Sequence, residues 1–236
     1  QRDEWVRLGL EVAVLCGSRG KLATDLSLMA QGEIAELAEP SGNGRGGSSA
    51  MPHKRNPVSS MIALAASRRT PQHAAALLAC MDQQHERGLG NWQAELAEWP
   101  PLFLSTHGAL HALNEAFAGL GVDRERMLGN IASLQGLVFA ESASSYLAGA
   151  IGRPAAHALL ERLTGQVNSE GRPLDALLID AVQADPQLAA HVDLKQLATL
   201  FDPVAALAPA RRLAEGQLAS LRKRMAALDA SHPFRE

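Results

Sequence analysis

The chain has 236 residues, of which 47 % are hydrophobic and 20 % charged, with a formal net charge of -3. That balance excludes a disordered chain and leaves no basic excess to neutralise phosphates, so nucleic acid is not an expected partner. No stretch approaches the roughly twenty uninterrupted apolar residues of a membrane span, so no membrane partner is expected either. Aromatic residues make up only 4 % while Ala and Leu abound, which favours helices over sheets.

The helical pattern is already under way at Gln1 without a cap, as expected of a cut through a longer protein. Residues 1 to about 38 read as one long helix. Trp5, Leu8, Val12, Leu15, Leu22, Leu26 and Met29 recur at steps of three and four, the spacing of a bundle seam. Val6, Leu10, Val14 and Leu28 add a second apolar face. A helix apolar on two faces belongs inside a bundle or an oligomer, so self-association is expected.

Pro40 ends that helix, and the glycines and prolines of residues 41–57 forbid regular structure there. Residues 41–50 are expected to be entropically expensive to fix. Pro57 suits the first turn of a second helix, which Pro71 should kink or split. A third helix is expected from about Gln93 to Phe117, ended by Gly119 and Gly121. Residues 1–120 thus form a helical-bundle segment and residues 121–236 a smaller helical domain. Its helices are expected over 123–129, 131–150, 153–167, 173–183, 193–200 and 203–228. Asp123 and Asp193 are the expected N-caps, and Gly152, Gly165 and Gly171 the expected stops. The two cysteines, Cys16 and Cys80, lie inside helical patterns, so a disulfide is not expected and a reducing cytoplasm is the default.

Composition alone would allow the Gly-rich loop to be a linker. Its second half carries Ser48, Ser49, His53, Lys54, Arg55 and Asn56 within nine residues, directly before a helix N-terminus. Backbone amides and the helix dipole there favour an anion; Lys54 adds a point charge and Asn56 a two-way amide. This chemistry suits a substrate bearing carboxylates, with Ser48 or Ser49 placed for proton transfer. No Cys/His grouping has metal-ligand spacing, so neither a metal nor another cofactor is expected. His107, His111 and His157 read as structural, and Arg222, Lys223 and Arg224 as a solvated face.

The run from Gly47 to Pro57, GSSAMPHKRNP, meets every fixed position of the pattern G-S-x-x-M-x-x-K-x-N and resembles the signature of the fumarase/aspartase superfamily. The resemblance implies an all-α, long-helix bundle and a homotetramer whose active sites each take residues from three subunits. It also implies Ser48 as the catalytic proton-transfer group, with Ser49, Lys54 and Asn56 binding substrate. Two branches are similar in this loop: the adenylosuccinate lyases and the 3-carboxy-cis,cis-muconate cycloisomerases. The segments Gln84–Glu95, Leu134–Glu141 and Leu200–Pro203 resemble the second. That branch implies lactonisation of a small tricarboxylate without a cofactor. By its own chemistry Arg87 suits a bidentate clamp on a substrate carboxylate, and His85 beside it reads as a further substrate-site group or as a helix-end hydrogen-bond partner. The resemblance covers the C-terminal half of a family member. One position departs from the pattern: Met61 stands where the lyases carry a Glu that pairs with a catalytic His. A fumarate-releasing C–N lyase and an inactive oligomerising helical fragment remain the alternative readings.

Overall fold

The structure, a computed structural model, describes residues 1–41, 46–47, 50–51 and 54–231. It divides into two units, Gln1–Met127 and Leu128–Glu236.

The first unit is built on three long helices: α1 (Asp3–Met29), α2 (Val58–Ala79) and α3 (Asn91–Ala118). At 1.5 Å per residue they run roughly 40, 33 and 42 Å. Trp5 meets Trp99 and Gly9 faces Leu102, so α1 and α3 run the same way. Gly9 also faces Leu77 while Gly20 faces Ser67, so α2 runs against them. α2 does not split at Pro71: it continues to Ala79 as one helix.

Most of the large apolar residues expected as the α1 seam are not buried against the other two helices; Leu26 is, and Val12 packs partly buried on the inner face. The stripe buried on α1 is Val6, Gly9, Ala13, Cys16, Gly20, Ala23 and Leu26. Trp5, Leu8, Leu15 and Leu22 of the expected seam are exposed, as are Leu10, Val14 and Leu28 of the expected second face. The buried faces of α2 and α3 are likewise dominated by small residues, among them Ser60, Ala63, Ala66, Thr70, Ala109, Ala112 and Ala116. Small side chains let three backbones approach closely, and many of the bulky ones are left pointing outward.

α1 stops at Met29, well short of the expected residue 38. The chain turns through residues 30–36, and a two-residue strand β1 (Leu37–Ala38) then pairs antiparallel with β2 (Gly121–Val122), which follows α3. Arg126 reinforces the turn by donating to the Glu33 and Ile34 carbonyls at 2.6 and 3.0 Å. These tertiary bonds outweigh the helical propensity of residues 30–38. They also gather the end of α1, the start of α2 and the end of α3 at one end of the bundle.

The helix α4 (Arg124–Ser133) crosses into the second unit. There a 3-10 turn (Leu137–Phe139) is followed by α5 (Ala140–Ile151), α6 (Arg153–Glu170), α7 (Leu174–Ala184), α8 (Pro186–His191), α9 (Leu194–Leu200) and α10 (Pro203–Ser231). The single helix expected over 131–150 is broken because Gln135 and Gly136 both adopt positive φ, 49° and 82°. The Gln135 carbonyl accepts from Leu174 N at 2.9 Å. Asp123 and Asp193 cap as expected, and Gly152 and Gly171 terminate α5 and α6. Gly165, the third expected stop, lies inside α6, and the short α8 was not anticipated. The core of this unit is leucine-rich, with Leu147, Leu163, Leu174, Leu178 and Leu197 fully buried.

Close packing gives two glycines of α1 opposite sensitivities. A Cβ on Gly20 would sit 2.4 Å from Ser67 Oγ and 2.5 Å from Ser67 Cβ, whereas one on Gly17 would meet nothing within 4 Å. Gly20→Ala should destabilise the chain by about 1–3 kcal/mol, the range of overpacking. Gly17→Ala should stabilise it by about 0.5–1 kcal/mol, because alanine is the better helix former. Urea denaturation of both variants checks the opposite signs.

Candidate active site

The signature loop returns to the bundle at the N-terminus of α2. Lys54 N donates to Met51 O at 3.0 Å, Asn56 N to Gly46 O at 2.8 Å and Val58 N to Asn56 O at 2.9 Å. Gly46 has φ +73°, and a Cβ there would stand 3.0 Å from the Asn56 carbonyl oxygen, so this crossing of the two loop arms favours glycine on both counts.

The anion expected at the start of α2 comes from the chain itself. Glu39 accepts from Ser59 N at 2.8 Å through Oε2, and from Ser60 N at 2.8 Å and Ser60 Oγ at 2.7 Å through Oε1. Pro57, the N-cap residue of α2, has no side-chain acceptor of its own. A carboxylate here satisfies amides left unpaired by the helix and interacts favourably with its dipole. Glu39 thus occupies the amides of Ser59 and Ser60, where a substrate carboxylate was expected.

Lys54 and Arg55 line a cavity of about 1090 Å³ whose wall includes Leu37, Ala38 and Val122 of the β1–β2 pair, with Asp123 and Arg124 on its polar side. Asn56 opens on an adjoining cavity of about 180 Å³ that it shares with Glu39 and Gly46. The structure thus brings Lys54 and Asn56 together at one end of the bundle. Ser48, Ser49 and His53 lie outside the described residues, as does part of the 41–50 stretch expected to be costly to fix. Met61, at the departing position, is 56 % exposed on the first turns of α2.

His85 and Arg87 are at the other end. They sit on the turn between α2 and α3, so the whole of α2, roughly 33 Å, separates them from Lys54 and Asn56. They line a second cavity of about 610 Å³ with Gln1, Arg2, Gln83 and Trp92. His85 has φ +60°, and the Arg87 guanidinium lies 5.7 Å from the centre of the Trp92 ring. The turn is held from below. Gln83 donates to Cys80 O at 2.8 Å and accepts from Gly88 N at 2.9 Å. Arg2 pairs with the buried Glu95 at 3.0 Å and donates to the Glu86 carbonyl at 3.1 Å. Burial and the nearby Glu95, Glu98 and Asp82 push the Cys80 thiol up from its ordinary value, so this buried cysteine is poorly suited to act as a thiolate.

Three residues here escaped the sequence reading: Glu39, Glu95 and His73. His73 Nδ1 lies 2.6 Å from Glu98 Oε2 across α2 and α3. The one available signal concerned Glu39: α2 begins without a capping side chain, so its cap had to come from elsewhere. Among the described residues no group of three or more His, Cys, Asp or Glu side chains could hold a metal ion.

Residues 1–70 match the family model described as lyase, and residues 136–216 the one described as adenylosuccinate lyase C-terminus. The chain belongs to the fumarase/aspartase superfamily, and its all-α architecture is that of the superfamily's solved structures. Within it, the chain is similar to the 3-carboxy-cis,cis-muconate cycloisomerases. It is 41 % identical over 222 residues to that of Bradyrhizobium diazoefficiens, covering 94 % of this chain and 48 % of the relative. It is 42 % identical over 219 residues to that of Pseudomonas aeruginosa, covering 93 % and 47 %. The crystal structure of 3-carboxy-cis,cis-muconate lactonizing enzyme from Pseudomonas putida superposes with a TM-score of 0.76 at 41 % identity, covering 89 % of this chain and 46 % of that one. The chain spans about half the length of the curated relatives it matches.

The turn that carries His85 and Arg87 depends on Glu95, which is only 6 % exposed. Glu95→Ala strips a buried ion pair from Arg2 and a polar neighbour from Gln83, and should cost about 1–3 kcal/mol. Arg2→Ala in the Glu95→Ala background should then cost less than it does alone. A double-mutant cycle by chemical denaturation measures that coupling.

Proposed function

We propose that the chain is the signature-bearing half of a cytoplasmic 3-carboxy-cis,cis-muconate cycloisomerase, which closes this tricarboxylate to 4-carboxymuconolactone in protocatechuate breakdown. The observation that carries the reading is identity of 41 % along 94 % of the chain to a curated cycloisomerase. Met61 supports it from the other side, because methionine cannot hold and polarise a histidine as the lyase glutamate does.

In the lactonising direction one substrate carboxylate oxygen forms a C–O bond to the double bond. The displaced π pair collects next to a second carboxylate as an enediolate. Ser48 protonates that carbon and recovers its own proton from solvent, so substrate and product are isomers and no cofactor enters the balance. Lys54 and Asn56 hold the developing enediolate, and Ser49 supports them. Because the attack is intramolecular, positioning carries much of the rate.

His85 and Arg87 join this site from another copy of the chain. They lie a full helix length from Lys54, and an antiparallel neighbour would set one end of its bundle against the opposite end of this one. Exposed apolar residues along α1, α2 and α3, Leu15, Ile62 and Leu104 among them, support association. We propose a homotetramer in which three subunits build each site.

The test joins this chain to the N-terminal half of a curated relative and follows loss of the conjugated diene's ultraviolet absorbance. Ser48→Ala should lower kcat by roughly a hundred- to ten-thousandfold with a much smaller change in KM. Lys54→Ala should raise KM as well, since an ammonium at a carboxylate weakens ground state and transition state together. Normal kcat in Ser48→Ala would remove the proton-transfer role. Failure of the unaltered protein to turn over 3-carboxy-cis,cis-muconate would remove the substrate.

A further inference from the structure

We infer that Glu39 is the positioning residue of the signature loop: its carboxylate, clamped on the N-terminus of α2, sets where Lys54 and Asn56 stand. The backbone around Glu39 is fixed before its side chain is considered. Leu37 and Ala38 pair with Val122 and Gly121, and Asp123 N donates to Glu36 O at 2.9 Å. On the other side Pro40 lies against Gly119, where a Cβ would approach its ring to 2.9 Å. Glu39 is therefore mounted on the C-terminal end of α3.

From that mount it reaches α2 with both oxygens. Oε2 takes the Ser59 amide and Oε1 takes the Ser60 amide and hydroxyl, all at 2.7–2.8 Å. Ser59 and Ser60 are buried, at 1 % and 0 % exposure. Two oxygens on two successive amides fix the direction of the helix end as well as its place. Residues Lys54 to Pro57 run directly into that end, so their position relative to the cavity follows from the clamp. A neutral cap such as serine would satisfy one amide and leave the axial direction less constrained.

The role of Glu39 in presenting substrate-binding groups rests on reading Lys54 and Asn56 as those groups. The clamp itself is tested without turnover, by trypsin cleavage after Lys54 and Arg55. Glu39→Ala should speed cleavage there by roughly 2- to 30-fold, the range that corresponds to losing a helix cap. Cleavage after Arg222 and Lys223, in the second unit, should be unchanged. Formate, the smallest carboxylate, should restore protection of Lys54 and Arg55 in Glu39→Ala, and formamide should not. Glu39→Gln keeps the shape but gives up the charge and one acceptor, so it should be cleaved at an intermediate rate; it carries the test if the alanine variant does not fold. Unchanged cleavage at Lys54 and Arg55 in both variants, or equal protection by formate and formamide, overturns the clamp. A working clamp beside a fully active Lys54→Ala, or beside a substrate that is not turned over, would separate its fate from that of the proposed function.

Discussion

The close approach of three helix backbones is the constraint from which the first unit follows. Gly9, Gly20, Ala13 and Ala23 on α1 meet Ser67, Ala66, Ala74 and Leu77 on α2 and Leu102, Ala109 and Leu113 on α3. A buried face made of such side chains has little volume to spare, and any added carbon must displace a neighbour. The same economy leaves Leu8, Val14, Met61 and Leu104 facing outward, with exposures that reach 69 % at Leu104. Helices that pack internally through small residues leave much apolar surface outside, which is the physical ground for proposing a tetramer.

Much of the helical content was legible from the sequence, because proline and glycine punctuate it and aspartate caps it. α3 differs from its expected span by two residues at the start and one at the end, and Asp123 and Asp193 act as expected. The end of α1 was not legible. Residues 30–38 carry Gly32 as their one breaker before Pro40, and a pairing with Gly121–Val122 more than eighty residues away holds the chain out of the helix. The orientation of α1 also misled: apolar periodicity marks every apolar face of the helix, not only the one turned toward α2 and α3. Distinguishing them required seeing that the glycines and alanines form a stripe of their own.

For the candidate site the motif located Lys54 and Asn56, and the structure adds the cavities around them. What one sequence could not convey is distance. His85 and Arg87 are about thirty residues from Lys54 along the chain, yet an intervening helix places them at the far end of the bundle. Glu39 and Glu95 escaped notice for a related reason. Each is an ordinary acidic residue in an ordinary helical or pre-loop context, and each acquires its role from partners brought in by the tertiary fold.

α3 has a mechanical consequence for such an assembly. Its C-terminal end carries the mount of the signature loop, through β2, Arg126 and Gly119. Its N-terminal end carries the turn of His85 and Arg87, through Asn91, Trp92 and Glu95. An α-helix is stiff along its axis, because shortening it would strain every hydrogen bond in series. One continuous rod of about 42 Å thus sets the spacing between the Lys54 end and the His85 end of the bundle, which in the proposed tetramer belong to different sites. In the proposed tetramer any shift of this helix along its own axis would be felt at both ends, so the spacing of neighbouring sites would follow one common ruler.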